Sequence, residues 1–269
     1  MAVERINSAT DPRVAAYRDV RDGELVRLRG MFVAEGRLVV RRVIEDRRSL
    51  VASVLVNDAA LNDLASTVAT LAADVPVLVC DPDDLAAIAG YDVHRGCLAL
   101  VRRPPPTPAN DVIASAQTIV VLEGVANADN VGGVFRNAAA FGAGGVLLSP
   151  TCCDPLYRKA IRTSMGASLH VPFARAGDQD WPGVLTRVRA AGFTLVALTP
   201  RAPAETLDAF AAWPRASRVA LMVGAEGAGL TPAVEASADH CVRIPIDDDV
   251  DSLNLASAVG IALYAISIG

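Results

Sequence analysis

The segment NVGGVFRNAAAFG, residues 130–142, sets two adjacent glycines and one arginine among small or apolar residues. One set of residues recurs at helical spacing and predicts a single buried stripe: Val131, Val134, Phe135, Ala138 and Gly142. Arg136 lies off this stripe, one turn beyond Gly132, where no side chain covers the backbone. With Asn130 as the expected N-cap, the free amides and the guanidinium favour a phosphate pocket. The alternative is an ordinary capped helix with a solvated arginine.

Two further loops carry polar residues that suit ligand binding. GAEGAGL, residues 224–230, has three glycines that allow a flat ligand to lie on the backbone while Glu226 fixes a second partner. DDDVDSLN, residues 247–254, offers Asp251 or Ser252 as the cap of a final helix, with Asn254 presenting both donor and acceptor. The alternatives are a plain glycine-rich turn and a simple capping motif. The three carboxylates at 247–249 are interpreted as a solvated turn.

These loops follow short apolar segments that are separated by helical stretches. The segments are TIVVLE, GVLLS, LHVPF, FTLVALT, RVALMVG and HCVRIPI. Such strands indicate a parallel sheet that is covered on both faces. Sites in these sheets lie at the strand ends, where the loops gather. We therefore expect the three loops to converge.

A proline-rich segment divides the chain. RRPPPTPAN has four prolines within five residues, which predicts a stiff extended connector at 104–110. Residues 1–103 then form a smaller α/β module, and residues 111–269 form the parallel-sheet domain. In the module we expect an arginine-rich helix near 11–28, a turn at FVAEG, a helix at 37–46, and strands at SVLVN and VPVLV.

The composition indicates a folded protein. Hydrophobic residues make up 52% of the 269 residues and charged residues 20%. The apolar C-terminal tail is shorter than the ~18 residues that span a bilayer, and the N-terminus lacks a secretory signal, so no membrane is expected. The five cysteines show no metal-binding spacing, which predicts no metal site and a reduced cytoplasmic location. The adjacent Cys152 and Cys153 are either redox-active or, as we favour, small residues at a strand end.

The net charge of −5 argues against a nucleic-acid partner, but its distribution weakens that objection. All but one of the 25 basic residues are arginine, and residues 1–50 hold eleven arginines against eight acids. Arginine's planar fork suits phosphate and base edges. The alternative is that arginine was chosen by a GC-rich genome for ordinary solvated faces.

Taken together, the three loops resemble the motifs of a known family. NVGGVFRNAAAFG, LMVGAEGAGL and IPIDDDVDSLNLASAVGIALYAI match, in order, those of the SpoU (TrmH-type) RNA 2′-O-ribose methyltransferases of the knotted SPOUT class. DPLYRKAIRTSMGA is similar to a segment of the ribosomal-RNA members, and FVAEGRLVVRRVI is similar to their L30e-like substrate-binding domain. Two departures concern the substrate: Asn127 and Ala128 stand where the family often has Asp-Pro, and Asp247 to Asp249 stand where it has a small residue and glycine.

The resemblance implies a trefoil knot in the C-terminal domain, S-adenosylmethionine as cofactor, and a homodimer whose interface helps to build the site. It assigns catalysis and RNA positioning to Arg136, Asn130, Glu226, Ser252 and Asn254. It assigns cofactor binding to Leu198, Gly224, Ile244 and Leu253. The candidate RNA contacts are Arg41, Arg42, Arg47 and Arg48 in the first domain, and Arg158 and Arg162 in the ribosomal-type segment.

The resulting hypothesis is an S-adenosylmethionine-dependent 2′-O-methyltransferase that acts on RNA of the 23S ribosomal type. Because an arginine keeps its proton, Arg136 is interpreted as holding a phosphate and the developing oxyanion rather than acting as the base. Transfer RNA is an alternative substrate. A catalytically silent RNA-binding or ribosome-assembly factor is a second possibility, and a nucleotide-dependent oxidoreductase using FGAGG, residues 141–145, is a third.

Overall fold

A computed structural model describes residues 2–18, 22–47, 50–91, 93–200, 203–211, 218–247 and 249–268. Its strands are β1 (Ala2–Arg5), β2 (Met31–Glu35), β3 (Val51–Val56), β4 (Pro76–Val79), β5 (Cys97–Arg102), β6 (Thr118–Glu123), β7 (Gly145–Leu148), β8 (Phe173–Arg175), β9 (Thr194–Leu198), β10 (Glu205–Thr206), β11 (Val219–Gly224) and β12 (His240–Arg243). Its α-helices are α1 (Asp22–Leu28), α2 (Arg37–Arg47), α3 (Asp58–Val68), α4 (Pro82–Ala89), α5 (Ala109–Ser115), α6 (Ala128–Ala140), α7 (Arg158–Thr163), α8 (Val184–Ala190), α9 (Leu207–Ala211), α10 (Pro232–Glu235) and α11 (Leu255–Ile268).

The chain divides into two compact units. Unit 1 comprises Met1–Pro105 together with Leu156–Leu169, and unit 2 comprises Pro106–Pro155 together with His170–Gly269. The chain therefore first passes from unit 1 to unit 2 within the proline-rich segment. The segment Leu156–Leu169 lies between β7 and β8 in the chain, yet it packs with unit 1.

Unit 1 is built on a mixed five-stranded sheet in the order β1-β4-β3-β5-β2. The pairs among β1, β4 and β3 are parallel, whereas β5 is antiparallel to both of its neighbours. The strands at SVLVN and VPVLV and the helix at 37–46 are confirmed. The prediction of an α/β module before the linker is therefore correct.

Two local predictions in unit 1 are wrong. FVAEG is strand β2, not a turn, because Phe32 to Ala34 are buried and pair with β5. The single helix expected near 11–28 is instead a 3₁₀ helix at Pro12–Tyr17 followed by α1. The first of these ends because Arg18 adopts an extended conformation, with φ −82° and ψ 133°. In both places tertiary pairing or a local backbone break overrides the sequence pattern.

A buried carboxylate joins α7 to the sheet of unit 1. Glu35, at the end of β2, is 2% exposed, and its oxygens lie 3.6 Å from Arg158 Nε and 3.8 Å from Arg162 Nη1. The guanidinium of Arg158 also lies 3.9 Å from the centre of the Tyr91 ring. Burial raises the pKa of Tyr91 to about 12. These contacts stabilise the packing of α7 on β2 across more than 100 residues of sequence.

Unit 2 contains a parallel seven-stranded sheet in the order β10-β12-β9-β11-β6-β7-β8. Helices α5, α8 and α10 pack on one face through apolar residues such as Val112, Val188 and Val234. Helix α6 packs against α11 and β7, and α11 also contacts β11. The predicted α/β architecture, a parallel sheet among helices, is confirmed. The trefoil knot stays a prediction.

Most strands of unit 2 fall where their apolar segments predicted. LHVPF is the exception, because Ala167–Leu169 forms a 3₁₀ turn and β8 begins only at Phe173. HCVRIPI is a strand only as far as Arg243, which leaves Ile244 to Ile246 beyond the sheet edge. In the described residues, no helix is both long and apolar enough to cross a membrane.

The cysteines permit a simple test of the fold. All five are free, and Cys80, Cys97, Cys152 and Cys153 are buried. Burial raises the pKa of Cys80 to about 11 and that of Cys97 to about 12. Because the thiolate is the reactive form, we expect a chromogenic disulfide reagent at pH 8 to label only Cys241 in the native protein. Labelling of all five should follow unfolding in guanidinium, and rapid native labelling of a second thiol would contradict this core.

Candidate functional site

The loops at the carboxyl ends of three strands of unit 2 surround one cavity of about 680 Å³. They follow β9, β11 and β12, and the last of them leads into α11. Seven residues predicted from the sequence line this cavity: Leu198, Gly224, Glu226, Ile244, Ser252, Leu253 and Asn254. Ligand pockets commonly have volumes of about 300–1,000 Å³. The predicted convergence of the second and third loops is therefore observed in a single chain.

The glycine-rich loop folds back over the end of β11. The amide of Gly229 donates to the carbonyl of Ala225 at 2.8 Å, and these residues form an isolated bridge. A Cβ on Gly224 would lie 2.0 Å from the carbonyl carbon of Gly229, and Gly227 and Gly229 have φ of +79° and +71°. The glycines are thus needed for a tight backbone turn. Glu226 is exposed at its tip.

The first motif reaches this site through Asn130. Its side chain is 3% exposed, and its Oδ1 accepts a hydrogen bond of 2.9 Å from Asn254 Nδ2. The expectation that Asn130 caps its helix is wrong, because Asn127 is the N-cap and Asn130 lies in the first turn of α6. Nor does Asp251 or Ser252 cap α11, since Asn254 Oδ1 accepts from the amide of Ser257 at 3.2 Å.

The side-chain amide nitrogen of Asn130, Nδ2, has no hydrogen-bond partner among the described residues. A buried donor without an acceptor costs free energy, so native proteins keep few of them, and they occur often at functional positions. This unmatched donor lies beside Asn254, which itself lines the cavity. It marks the junction of the first and third motifs as a place where polar ligand groups are favoured.

The bare face of α6 does not hold a phosphate in this chain. A Cβ on Gly133 would lie 2.5 Å from Cβ of Ala256, so α11 occupies that face. Asn137 Nδ2 also donates to the carbonyl of Ala256 at 2.6 Å. The expectation that Gly133 leaves this face of the helix open is therefore wrong, because that glycine serves helix packing, whereas a phosphate at Arg136 stays a prediction. Arg136 is exposed, does not line the cavity, and forms no hydrogen bond or ion pair within the described residues.

The cavity combines apolar walls with two carboxylates. Glu226 and Asp251 line it, together with Leu198, Ile244 and Leu253, and no arginine or lysine of the described residues does so. A dinucleotide would bring a pyrophosphate that needs basic residues or a helix N-terminus. The hypothesis assigns this site to FGAGG, which leads from α6 into β7 and not into a helix, and whose Gly144 and Gly145 pack against Ala116 and Val112; the helix N-terminus at the cavity is that of α11. The geometry argues against the oxidoreductase hypothesis.

Comparison with known proteins agrees with this geometry. The model of the SpoU rRNA Methylase family matches residues 117–264, which is more than half of the chain and includes every strand that borders the cavity. The chain belongs to the SpoU family. It is 40% identical over 266 residues to an uncharacterized tRNA/rRNA methyltransferase of Mycobacterium bovis, covering 97% of this chain and 91% of the relative.

Solved structures extend the likeness of this SpoU protein to both units. An AdoMet-bound rRNA methyltransferase from Sinorhizobium meliloti has a TM-score of 0.83 and 27% identity, and the match covers 98% of this chain and 97% of that one. An RNA 2′-O ribose methyltransferase has a TM-score of 0.74 and 25% identity, with 98% of each chain covered. The L30e-like character of unit 1 stays a prediction.

The arginines predicted to bind RNA in this SpoU protein lie in unit 1. Arg42 Nη1 donates to the carbonyl of Met165, and Arg41 Nη2 donates to that of Asp63. Arg158 and Arg162 contact buried Glu35, so they support the fold, although both remain partly exposed. The side chain of Arg47 and all of Arg48 lie outside the described residues. None of these roles in RNA binding is tested.

Sequence reasoning missed several residues at these sites. Thr199, Pro200 and Ile246 line the cavity, and only the position of their strand ends could have indicated them. In unit 1, Arg37 and Arg95 border a depression together with Arg41 and Asp63. Arg95 has φ +66°, a conformation that non-glycine residues seldom adopt and that marks it for attention.

Replacing Asn254 by alanine tests the junction of the motifs. The change removes the cap of α11 and leaves buried Asn130 without its partner. We expect a loss of about 2–3 kcal/mol in the free energy of unfolding. Methyl transfer should fall as well. Asn57 is the matched control, because its Oδ1 caps α3 in unit 1 by accepting from Ala60. Asn57→Ala should lower stability in urea titrations but leave activity intact; equal activity of the two variants would refute the assignment.

Proposed function

We propose that this SpoU protein transfers a methyl group from S-adenosylmethionine to a ribose 2′-hydroxyl of ribosomal RNA. The observation that carries the proposal is the convergence of Glu226, Ser252 and Asn254 on one cavity, with buried Asn130 bonded to Asn254. A catalytically silent RNA-binding protein has no need to keep these polar side chains together. Transfer RNA remains the alternative substrate, because the M. bovis relative is called a tRNA/rRNA methyltransferase.

The residues of the cavity fit S-adenosylmethionine. Leu198, Ile244 and Leu253 offer apolar contact to an adenine ring, and the turn at Gly224 exposes backbone groups beside them. The carboxylates of Glu226 and Asp251 suit the positive sulfonium and ammonium groups of the ligand. The AdoMet-bound S. meliloti structure, similar over nearly the whole chain, supports this choice. When bound, the cofactor supplies an electrophilic methyl group.

The remaining chemistry is alignment and charge stabilisation by this chain. Ser252 and Asn254 border the cavity and can donate to ribose oxygens, which orients the 2′-hydroxyl. Arg136 has a guanidinium with no hydrogen-bond or ion-pair partner in the described residues, so it can bind the adjacent phosphate and the oxyanion that develops as the 2′-hydroxyl loses its proton. The proton passes to water or to phosphate, because arginine does not act as a base.

Arg136 lies outside the cavity in one chain, which favours a homodimer that brings a second copy to the site. Helix α11 exposes one apolar stripe of Ile261, Tyr264 and Ile268, which are 42%, 53% and 65% exposed. Helix α6, which carries Arg136, packs directly against α11. An isologous contact through α11 would cover the stripe in both copies.

The double variant Ile261→Asp/Tyr264→Asp should then have a monomeric mass in light scattering, whereas wild type should be dimeric.

RNA contacts are proposed for the depression in unit 1. Three arginines, Arg37, Arg41 and Arg95, surround the single carboxylate of Asp63. The excess positive charge suits RNA phosphates, which position a folded element without reading its sequence. This surface adds to the arginines of α2 predicted from the sequence.

The proposed function is tested by methyl transfer to defined RNA. Purified protein and S-adenosylmethionine with a labelled methyl group are incubated separately with ribosomal RNA, ribosomal subunits and transfer RNA. Label that appears in rRNA, at a phosphodiester that resists alkaline hydrolysis, identifies 2′-O-methylation, because alkali needs a free 2′-hydroxyl. Label in transfer RNA would establish the alternative substrate. Cofactor binding in calorimetry with no transfer to any RNA would overturn the proposal and favour the silent factor.

A further inference from the structure

We propose that Glu123 is a positioning residue that holds the glycine-rich loop, residues 224–230, in its ligand-binding form. The inference rests on the proposed function, since it assigns that loop to the cofactor. Glu123 ends β6 and is the strand neighbour of Gly224 in the ladder between β6 and β11. It lies next to the first motif in the sequence, but its carboxylate contacts Trp181 and Thr231, the residue that immediately follows the second motif.

Three donors converge on the Glu123 carboxylate. Oε2 accepts from the amide of Thr231 at 2.7 Å, and Oε1 accepts from the hydroxyl of Thr231 at 2.9 Å. Oε1 also accepts from the indole nitrogen of Trp181 at 3.1 Å. An indole N–H and a backbone N–H can only donate, so the acceptor oxygens of the carboxylate match this set. Hydrogen bonds to an ionised acceptor are among the stronger ones in proteins.

Thr231 transmits this anchor to the loop. Its hydroxyl donates to Glu123 and also accepts from the amide of Val234 at 3.4 Å, so it caps α10. Thr231 therefore fixes the carboxyl end of the loop, while Gly224 fixes its start within β11. Between these two points lie Gly227 and Gly229, whose positive φ values form the tight turn that the hydrogen bond from Gly229 to Ala225 closes. Glu226 is carried on this segment.

Glu123 does not take part in proton transfer. It is 7% exposed, it does not line the cavity, and both of its oxygens already accept hydrogen bonds. Its effect on the reaction must then pass through the loop, which predicts that cofactor affinity falls more than the turnover number does. A loss of cofactor affinity that exceeds the loss of turnover distinguishes a positioning residue from a catalytic residue.

The test measures binding of S-adenosylmethionine by calorimetry to wild type and to Glu123→Gln. An amide in place of the carboxylate turns one acceptor into a donor, so either Thr231 or Trp181 faces a donor. We expect the dissociation constant to rise about tenfold or more, because a buried group is left unsatisfied. The turnover number at saturating cofactor and RNA should stay within about threefold of wild type.

A second pair of variants covers the case in which Glu123→Gln does not fold. Thr231→Val removes the hydroxyl, whereas Thr231→Ser keeps it and the cap. We expect Thr231→Val to weaken cofactor binding about five- to tenfold. Thr231→Ser should restore the affinity of wild type. Equal affinity of the serine and valine variants would overturn the role of the anchor.

Arg218 provides the matched control, because it lies at the opposite end of β11 from the glycine-rich loop. It immediately precedes β11, and its guanidinium donates to the carbonyls of Ile113, Ala116 and Ala191. Arg218→Met should lower stability but leave cofactor affinity unchanged. If Glu123→Gln is folded and binds the cofactor as tightly as Arg218→Met does, the inference is wrong. If wild type itself binds no cofactor, it is the proposed function that fails.

Discussion

Arg136→Ala is expected to lower the rate of methyl transfer about 10²–10³-fold, the usual effect of removing one donor that stabilises developing charge. Cofactor affinity and stability should not change, because the side chain is exposed and has no partner in the described part of the chain. Two other arginines of unit 2 do have partners, since Arg175 and Arg218 each donate to several backbone carbonyls. The fold therefore does not depend on the Arg136 side chain, which is available for the reaction.

Arg136→Lys refines the assignment. Lysine keeps the charge but loses the planar fork, so phosphate binding should weaken and turnover should fall to an intermediate value. Arg187→Ala is the control, because Arg187 pairs with Asp180 on the surface and with no other acid among the residues that the structure describes. Normal turnover of Arg136→Lys together with loss of RNA binding would contradict the role in charge stabilisation.

Mixing variants tests whether Arg136 acts across a dimer. Arg136→Ala and Glu226→Ala should each be inactive as homodimers. If Arg136 of the partner subunit completes the cavity, random mixing gives heterodimers with one intact site and recovers roughly a quarter of wild-type activity. Failure to recover activity in mixtures shown to contain heterodimers would place Arg136 in the same chain as the cavity it serves.

Gly224→Ala is expected to weaken cofactor binding more than any other single change in the glycine-rich loop. The new Cβ would lie 2.0 Å from the carbonyl carbon of Gly229 and 2.1 Å from the amide nitrogen of Leu230. Because these are backbone atoms, the loop itself must move. We expect the free energy of unfolding to fall by about 3 kcal/mol. Cofactor affinity should fall about 100-fold, as expected when binding groups shift by about 1 Å.

Gly177→Ala is the matched control for this glycine. No atom lies within 4 Å of a Cβ at that position, and its φ is not positive. We expect a change within about 0.5 kcal/mol in urea titrations and normal affinity in calorimetry. A Gly224→Ala protein that binds cofactor like Gly177→Ala would show that the loop is not part of the binding site.

The largest errors in sequence interpretation concern which partner a residue chooses. Asn130 looks like an N-cap from its position, yet Asn127 caps α6 and Asn130 is buried against Asn254. Arg158 and Arg162 stay predicted RNA contacts, but the sequence did not indicate that they also contact Glu35, more than 100 residues earlier. Which residue caps a helix depends on the backbone conformation of one or two residues, which the sequence does not specify. Ion pairs between distant residues leave no periodic pattern in the sequence.

From the sequence alone come the apolar segments of the parallel sheet, the proline-rich crossing between units, and the cavity residues at the strand ends, such as Gly224 and Asn254. Periodicity and turn chemistry are local properties, so composition and spacing carry them. Only the tertiary structure places α11 on the glycines of α6, returns Leu156–Leu169 to unit 1, and brings Glu123 to Thr231. Each of these depends on packing and buried hydrogen bonds between segments that are distant in the chain.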